Sequence, residues 1–78
     1  MALTQEEWIR RFAEALGMSP PSTEEVDLLL GLAGVAAHAS ERTAAPISCW
    51  LAARAGVDSA TALAAAERLA EEIDRSDP

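Results

Sequence analysis

VDLLLGLAGVAA, residues 26–37, is the apolar run that decides the fold class. As a helix, this run places apolar side chains around most of its circumference, and such a helix belongs at the centre of a domain. Ser22 and Glu25 precede it with the spacing of a capping box, which predicts where the helix starts. The run is too short to span a bilayer, so it indicates a buried helix rather than a membrane span.

Capping patterns predict three further helices around the central one. Thr4 and Glu7 have the spacing of a capping box at the start of the first helix. Pro46 suits the first turn of the third helix, where its missing N–H costs nothing, and Asp58 is the predicted cap of the fourth. No segment alternates with a period of two, so we predict an all-α protein, a small four-helix bundle that is either up-and-down or irregular and orthogonal. The predicted helices span about residues 5–16, 23–40, 46–55 and 59–74.

The length of 78 residues allows a single helical domain, 1–78, in which residues 75–78 are expected to fray. A domain of this size buries only roughly 60% of its unfolded surface, and eighteen of its apolar residues are alanine. We therefore expect the large apolar side chains to share one compact core and self-association, as a homodimer, to add buried area. The expected core residues are Trp8, Phe12, Leu16, Leu29, Leu30, Trp50, Leu51, Leu63 and Ile73.

The charge balance limits the classes of partner. The net charge is −7, with six arginines and no lysine, which argues against nucleic acid and against an anionic membrane surface. The single cysteine excludes an internal disulfide and fits a reducing compartment. Because the segment MALTQEEW lacks the apolar stretch of a signal peptide, we expect a cytoplasmic protein. The alanine- and arginine-rich composition suggests a bacterial source.

One face of the predicted second helix departs from the apolar pattern. It carries two glycines, and a glycine inside a helix costs about 0.5–1 kcal/mol relative to alanine, so something is expected to approach the backbone closely. Either another helix packs tightly there, or the face lines a shallow groove with His38 and Arg42 at its end. The residues of this face are Asp27, Gly31, Gly34, His38 and Glu41.

Polar side chains are concentrated in HASERTAAP, residues 38–46, which forms the corner between the predicted second and third helices. His38 is either a structural residue at a helix end, where it suits the dipole, or a ligand-facing group. Glu41 and Arg42 either form an ion-pair network that pins the loop, or Arg42 serves as an anion-binding residue. Pro46 closes the corner.

No catalytic residue, metal site or cofactor is expected. With one histidine and one cysteine, only carboxylates could complete a set of metal ligands. Cys49 is either a nucleophile activated at a helix start or a small core residue, and the second interpretation fits the usual burial of free cysteine. We therefore expect no enzyme activity.

The segment LLGLAGVAAHASERTAAPISCWLAARAG, residues 29–56, carries a family resemblance. It resembles a small actinobacterial domain of unknown function in which a helix ends in the pattern AHxxERxAAP, and residues 8–17 fit the first helix of that family. Such domains occur alone or fused C-terminal to nucleotidyltransferases similar to molybdopterin-guanine dinucleotide biosynthesis protein A. The resemblance implies an accessory or docking role in molybdenum-cofactor maturation and implies no catalytic residues.

The expected function is therefore that of a non-enzymatic accessory or protein-interaction module whose partner is a molybdenum-cofactor nucleotidyltransferase-like protein. The surface presented to this partner is the corner of residues 38–46, either alone or together with the predicted third helix, which carries Trp50. Two alternatives stay open: binding of a small anionic ligand, such as a nucleotide or pterin phosphate, at the His38 and Arg42 corner, or a purely structural homodimer module. The exposure of these two side chains separates the alternatives. Burial favours a structural role, an open pocket favours a ligand, and a flat exposed surface favours a protein partner.

Overall fold

Four helices make up most of residues 3–76, the part of the chain that the computed structural model describes. They confirm the predicted all-α fold, and each bound lies within two residues of the prediction. Of the tail that is expected to fray, residues 75 and 76 are helical, and residues 77 and 78 lie outside the described part. In chain order the helices are α1 (Gln5–Ala15), α2 (Thr23–Ala39), α3 (Ala44–Ala55) and α4 (Ser59–Ser76).

The ends of α1 follow the predicted local chemistry. The backbone N–H of Glu7 donates to Thr4 Oγ1 over 3.1 Å, and the N–H of Thr4 donates back to Glu7 Oε1 over 3.4 Å, which completes the capping box. After α1 the chain turns at Gly17, whose φ of 72° is readily adopted only by glycine. The N–H of Met18 then donates to the carbonyl of Ala13 over 2.8 Å, so the last turn is closed by a main-chain bond.

The second predicted capping box forms only in part. Ser22 Oγ accepts from the N–H of Glu25 over 3.1 Å, but the Glu25 carboxylate does not return to Ser22. It accepts instead from the hydroxyl of Ser59, the first residue of α4, which is only 6% exposed. This long-range bond ties the start of α2 to the start of α4, a connection that no local pattern predicts.

The central position predicted for α2 is confirmed, because α2 packs against both α3 and α4. The starts of α2 and α4 meet at Glu25 and Ser59, and their ends meet where His38 and Asp74 line one groove. The two helices are therefore parallel neighbours, and α3 returns the chain from the end of one to the start of the other. No other pair of helices within residues 3–76 packs as closely, so α1 lies outside this three-helix unit.

The predicted core is largely wrong. The buried apolar residues are Ala13, Leu32 and Ala62. Two of the expected core residues, Leu29 and Leu63, are half-buried. The other seven are between 48% and 59% exposed, namely Trp8, Phe12, Leu16, Leu30, Trp50, Leu51 and Ile73.

The reason for this error is clearest in α3, which carries two stripes with helical spacing. The large side chains Ile47, Trp50 and Leu51 form one stripe and are exposed, whereas a stripe of small side chains is half-buried. Small residues let two helix backbones approach closely, so the Ala-rich stripe packs on α2 and the large residues are left outside. The half-buried small residues are Ala45, Ser48, Cys49 and Ala52.

Candidate functional site

An open groove of about 580 Å³ runs between α2 and α4. We call it the α2–α4 groove. Its sides include Leu30 and Ile73, each about half exposed, and its polar groups, His38 and Asp74, stand near the C-terminal ends of the two helices. The lining residues are Leu30, Gly31, Gly34, Val35, His38 and Ala39 of α2, with Ala70, Ile73 and Asp74 of α4. The groove is thus mostly apolar and opens to solvent.

The two glycines of the α2 face have different surroundings. A Cβ added at Gly31 would lie 3.4 Å from Leu63 Cδ2, an ordinary packing distance, so Gly31 lies against α4. A Cβ added at Gly34 would meet no atom within 4 Å. Helix packing therefore describes Gly31, whereas Gly34 faces the open groove, which His38 lines and Arg42 does not.

The corner residues are all exposed, but the structure does not bring them together. His38, in the last turn of α2, lines the α2–α4 groove, whereas Glu41, Arg42 and Pro46 do not. Of the three outcomes considered for the pair, the open pocket therefore describes His38, and the exposed surface describes Arg42.

Main-chain bonds close the corner. The N–H of Ala44 donates to the carbonyl of Glu41 over 2.9 Å, and the N–H of Ala45 donates to that of Arg42 over 3.1 Å. Within residues 3–76 the ion pair found is Arg10–Glu14 at 3.7 Å, so the ion-pair network expected at Glu41 and Arg42 is not formed.

The first turn of α3 begins earlier than predicted. The helix starts at Ala44, so Pro46 is its third residue rather than its first. Pro46 still lies in the first turn, where its missing N–H leaves no helical hydrogen bond unmade.

The outer surface of α3 is a second candidate site. Ile47, Trp50 and Leu51 are 59%, 55% and 56% exposed, and the Arg54 guanidinium carbon lies 5.1 Å from the Trp50 ring centroid, a cation–π geometry. We call these four residues the α3 face. Residues 42–56 hold two arginines and no acidic residue, in a chain with a net charge of −7. The α3 face is therefore an apolar patch on a segment without acidic residues, which lies between Glu41 and Asp58 in an acidic protein.

Cys49 lies on the opposite side of α3. It is half-buried, and its Sγ is 3.9 Å from the carbonyl oxygen of Leu29 on α2, which is the environment of a packed thiol. Among residues 3–76, no group of three or more His, Cys, Asp or Glu side chains is placed to hold a metal ion. Within the same residues, no helix has both the length and the apolar character needed to cross a bilayer.

Sequence reasoning missed the contribution of α4 to the groove. The residues Ala70, Ile73 and Asp74 line it opposite the glycine face, but nothing in the local pattern specifies which helix lies beside that face. It also assigned Trp50 and Leu51 to the core, whereas both lie on the exposed α3 face. The small-residue stripe on the other side of α3 was the available signal.

Comparison with known families agrees with part of the resemblance. The family described as a domain of unknown function, DUF6457, matches residues 2–78 and so includes the fourth helix, whereas the resemblance in the sequence rested on residues 8–17 and 29–56. No curated protein and no solved structure matches the chain. Since the match covers nearly every residue, the chain belongs to the DUF6457 family, a domain of unknown function.

Proposed function

We propose that this domain is a non-enzymatic interaction module that binds a partner protein through the α3 face and the adjoining corner. The observation that carries the proposal is the orientation of α3, which turns its small side chains toward α2 and leaves Ile47, Trp50 and Leu51 more than half exposed. A contiguous apolar surface of large side chains on a small protein is typical of a docking site.

The composition of the α3 face favours a protein as the ligand. Tryptophan and arginine are enriched among the residues that dominate binding energy at protein interfaces, and here Arg54 stacks over Trp50. The contact with the guanidinium orients the indole ring and limits the side-chain entropy that binding would otherwise cost. The α3 face thus offers an ordered aromatic anchor.

The charge around the α3 face limits the chemistry of the partner. Arg42 and Arg54 are exposed, and no acidic residue lies between them, so a complementary surface would be apolar at its centre and acidic at its rim. The family resemblance supplies a partner class, a nucleotidyltransferase similar to molybdopterin-guanine dinucleotide biosynthesis protein A. An accessory role in molybdenum-cofactor biosynthesis in the bacterial cytoplasm is therefore part of the proposal.

The anionic-ligand alternative has less support. Binding of a nucleotide or pterin phosphate at the corner would use His38 and Arg42 together, but only His38 lines the α2–α4 groove. Among the hydrogen bonds and ion pairs of residues 3–76, none orients the side chain of His38 or Arg42 toward an anion. We therefore place the function at the α3 face.

A calorimetric titration tests the proposal with the full chain and the purified molybdenum-cofactor nucleotidyltransferase of the same host. We expect direct binding, which Trp50→Ala weakens at least about tenfold because a central aromatic anchor is lost. Arg42→Ala should weaken binding less and mainly at low salt, since it removes a rim charge. Trp8→Ala is the matched control, because Trp8 is similarly exposed but lies on α1.

Three results would contradict this proposal. The absence of binding by the wild-type chain would remove the nucleotidyltransferase as the partner. Equal losses from Trp8→Ala and Trp50→Ala would show that the α3 face is not the specific contact. Retained binding in Trp50→Ala would lead to the same conclusion.

A further inference from the structure

The chain exposes far more surface than a compact protein of its size. A monomer of this mass is expected to expose about 4,500 Å², whereas this chain exposes 6209 Å². Its radius of gyration is 14.1 Å, compared with about 11.5 Å for a compact domain of the same length. If each of two copies covered about half of the excess area, the interface would reach the standard size for a stable complex.

One part of this excess surface is an aromatic stripe on α1. Trp8, Phe12 and Leu16 are 59%, 51% and 58% exposed, and the rings of Trp8 and Phe12 stack with centroids 5.9 Å apart and planes 9° apart. The stacked rings form one projection. A fully enclosed aromatic side chain buries about 150–250 Å², so each of these half-exposed rings has roughly half of that area left to bury in an interface. We call these three residues the α1 stripe.

The α2–α4 groove has the complementary shape. Gly34 leaves open space where a side chain would stand, and the half-exposed Leu30 and Ile73 lie to either side. Its volume of about 580 Å³ falls within the range of cavities that enclose drug-sized ligands. The groove therefore has room for two aromatic side chains.

Within one chain, the α1 stripe and the groove do not meet. No residue of α1 lines the groove. Instead, Ile9 and Arg10 of α1 border a neighbouring cleft beside the start of α2, which Pro20 and Pro21 also line and which shares only Leu30 with the groove. Consecutive prolines have fixed φ angles and an extended backbone, so the linker holds α1 at that cleft.

We propose that the α2–α4 groove is the docking site for α1 of a second copy of this chain, with Trp8 and Phe12 seated over Gly34. In a dimer with a twofold axis the contact is reciprocal, because each copy places its α1 stripe in the groove of the other. Both surfaces of each copy are then occupied, so this contact cannot extend into a filament. The α3 face takes no part in this contact, which makes the inference independent of the proposed function.

Sedimentation of the full chain over a range of concentrations, from low micromolar to near millimolar, tests the proposal. We expect a dimer whose dissociation constant rises at least about tenfold in Trp8→Ala, through loss of an aromatic anchor, and in Gly34→Leu, through filling of the groove. Trp50→Ala removes an equally exposed tryptophan from α3 and should leave the dissociation constant unchanged. A circular dichroism spectrum of each variant confirms that its helices are intact.

Cross-linking places the contact directly. One chain carries Phe12→Cys and another carries Gly34→Cys, both in a Cys49→Ser background that removes the native thiol. Mixed and treated with a mild thiol oxidant, they should form a disulfide-linked heterodimer, whereas Leu51→Cys mixed with Gly34→Cys should not. A wild-type chain that is monomeric at every concentration would overturn the proposal, and so would a dimer that only Trp50→Ala weakens or a cross-link that forms only through Leu51→Cys.

Discussion

At the scale of single residues, Asp58 connects the local chemistry of a helix cap to the pH dependence of the fold. The N–H of Thr61 donates to Asp58 Oδ1 over 2.7 Å. Hydrogen bonds from the Thr61 hydroxyl and from its N–H lower the pKa of Asp58 from its ordinary value of 3.8. A carboxyl group with a lowered pKa in the folded state stabilises the fold above its unfolded-state pKa and loses this effect as pH falls through the folded value.

A substitution at Asp58 distinguishes the effect of the N-cap hydrogen bond from the effect of the carboxylate charge. We expect Asp58→Asn to keep most of the melting temperature at neutral pH, because asparagine also accepts the hydrogen bond of an N-cap. Its melting temperature should fall less than that of the wild type on acidification below pH 3.8, the ordinary pKa of this group. Thermal melts followed by circular dichroism at several pH values measure both effects. An unchanged pH dependence in Asp58→Asn would mean that this carboxylate does not contribute to the acid sensitivity.

The capping residues are also where sequence and structure agree most closely. The side chains of Thr4, Ser22 and Asp58 each accept a hydrogen bond from the backbone N–H three residues ahead, as the sequence predicts. A cap depends on neighbours in the same turn, so its partners can be identified without knowledge of the tertiary structure.

At the scale of helices, the bond between Glu25 and Ser59 joins elements that are far apart in sequence. The two residues are 34 positions apart, and the pairing follows from the parallel arrangement of α2 and α4, which the sequence does not specify. The same limit explains the error at α3, where two stripes had helical spacing and the larger one was assigned to the core. Periodicity identifies the faces of a helix, but the choice of the packed face depends on its neighbours.

A matched pair of variants measures this contact between helices. Glu24 and Glu25 both lie in the first turn of α2 and interact with its dipole, but only Glu25 accepts from Ser59. Glu25→Ala leaves the buried Ser59 hydroxyl without its partner, so we expect it to cost about 1–3 kcal/mol more than Glu24→Ala. Urea unfolding gives both free energies, and equal values for the two variants would contradict a stabilising role for this bond.

At the scale of the whole molecule, net charge and exposed apolar area have opposite effects on self-association. Each copy carries a net charge of −7, so two copies repel each other at long range. The proposed contact between the α1 stripe and the α2–α4 groove is mainly apolar, and the burial of apolar surface is not weakened by the screening of charge.

These opposing effects predict the salt dependence of the dimer. Added sodium chloride shortens the Debye length from about 10 Å at 0.1 M to about 3 Å at 1 M, which reduces the repulsion between copies and leaves the apolar contact intact. We therefore expect the dissociation constant, measured by sedimentation equilibrium, to decrease as salt rises. Arg11→Glu, an exposed substitution on α1, makes each chain more acidic and should steepen this dependence. A dimer that salt weakens would instead depend on ion pairs between the copies, and the apolar contact would then be the wrong description of the interface.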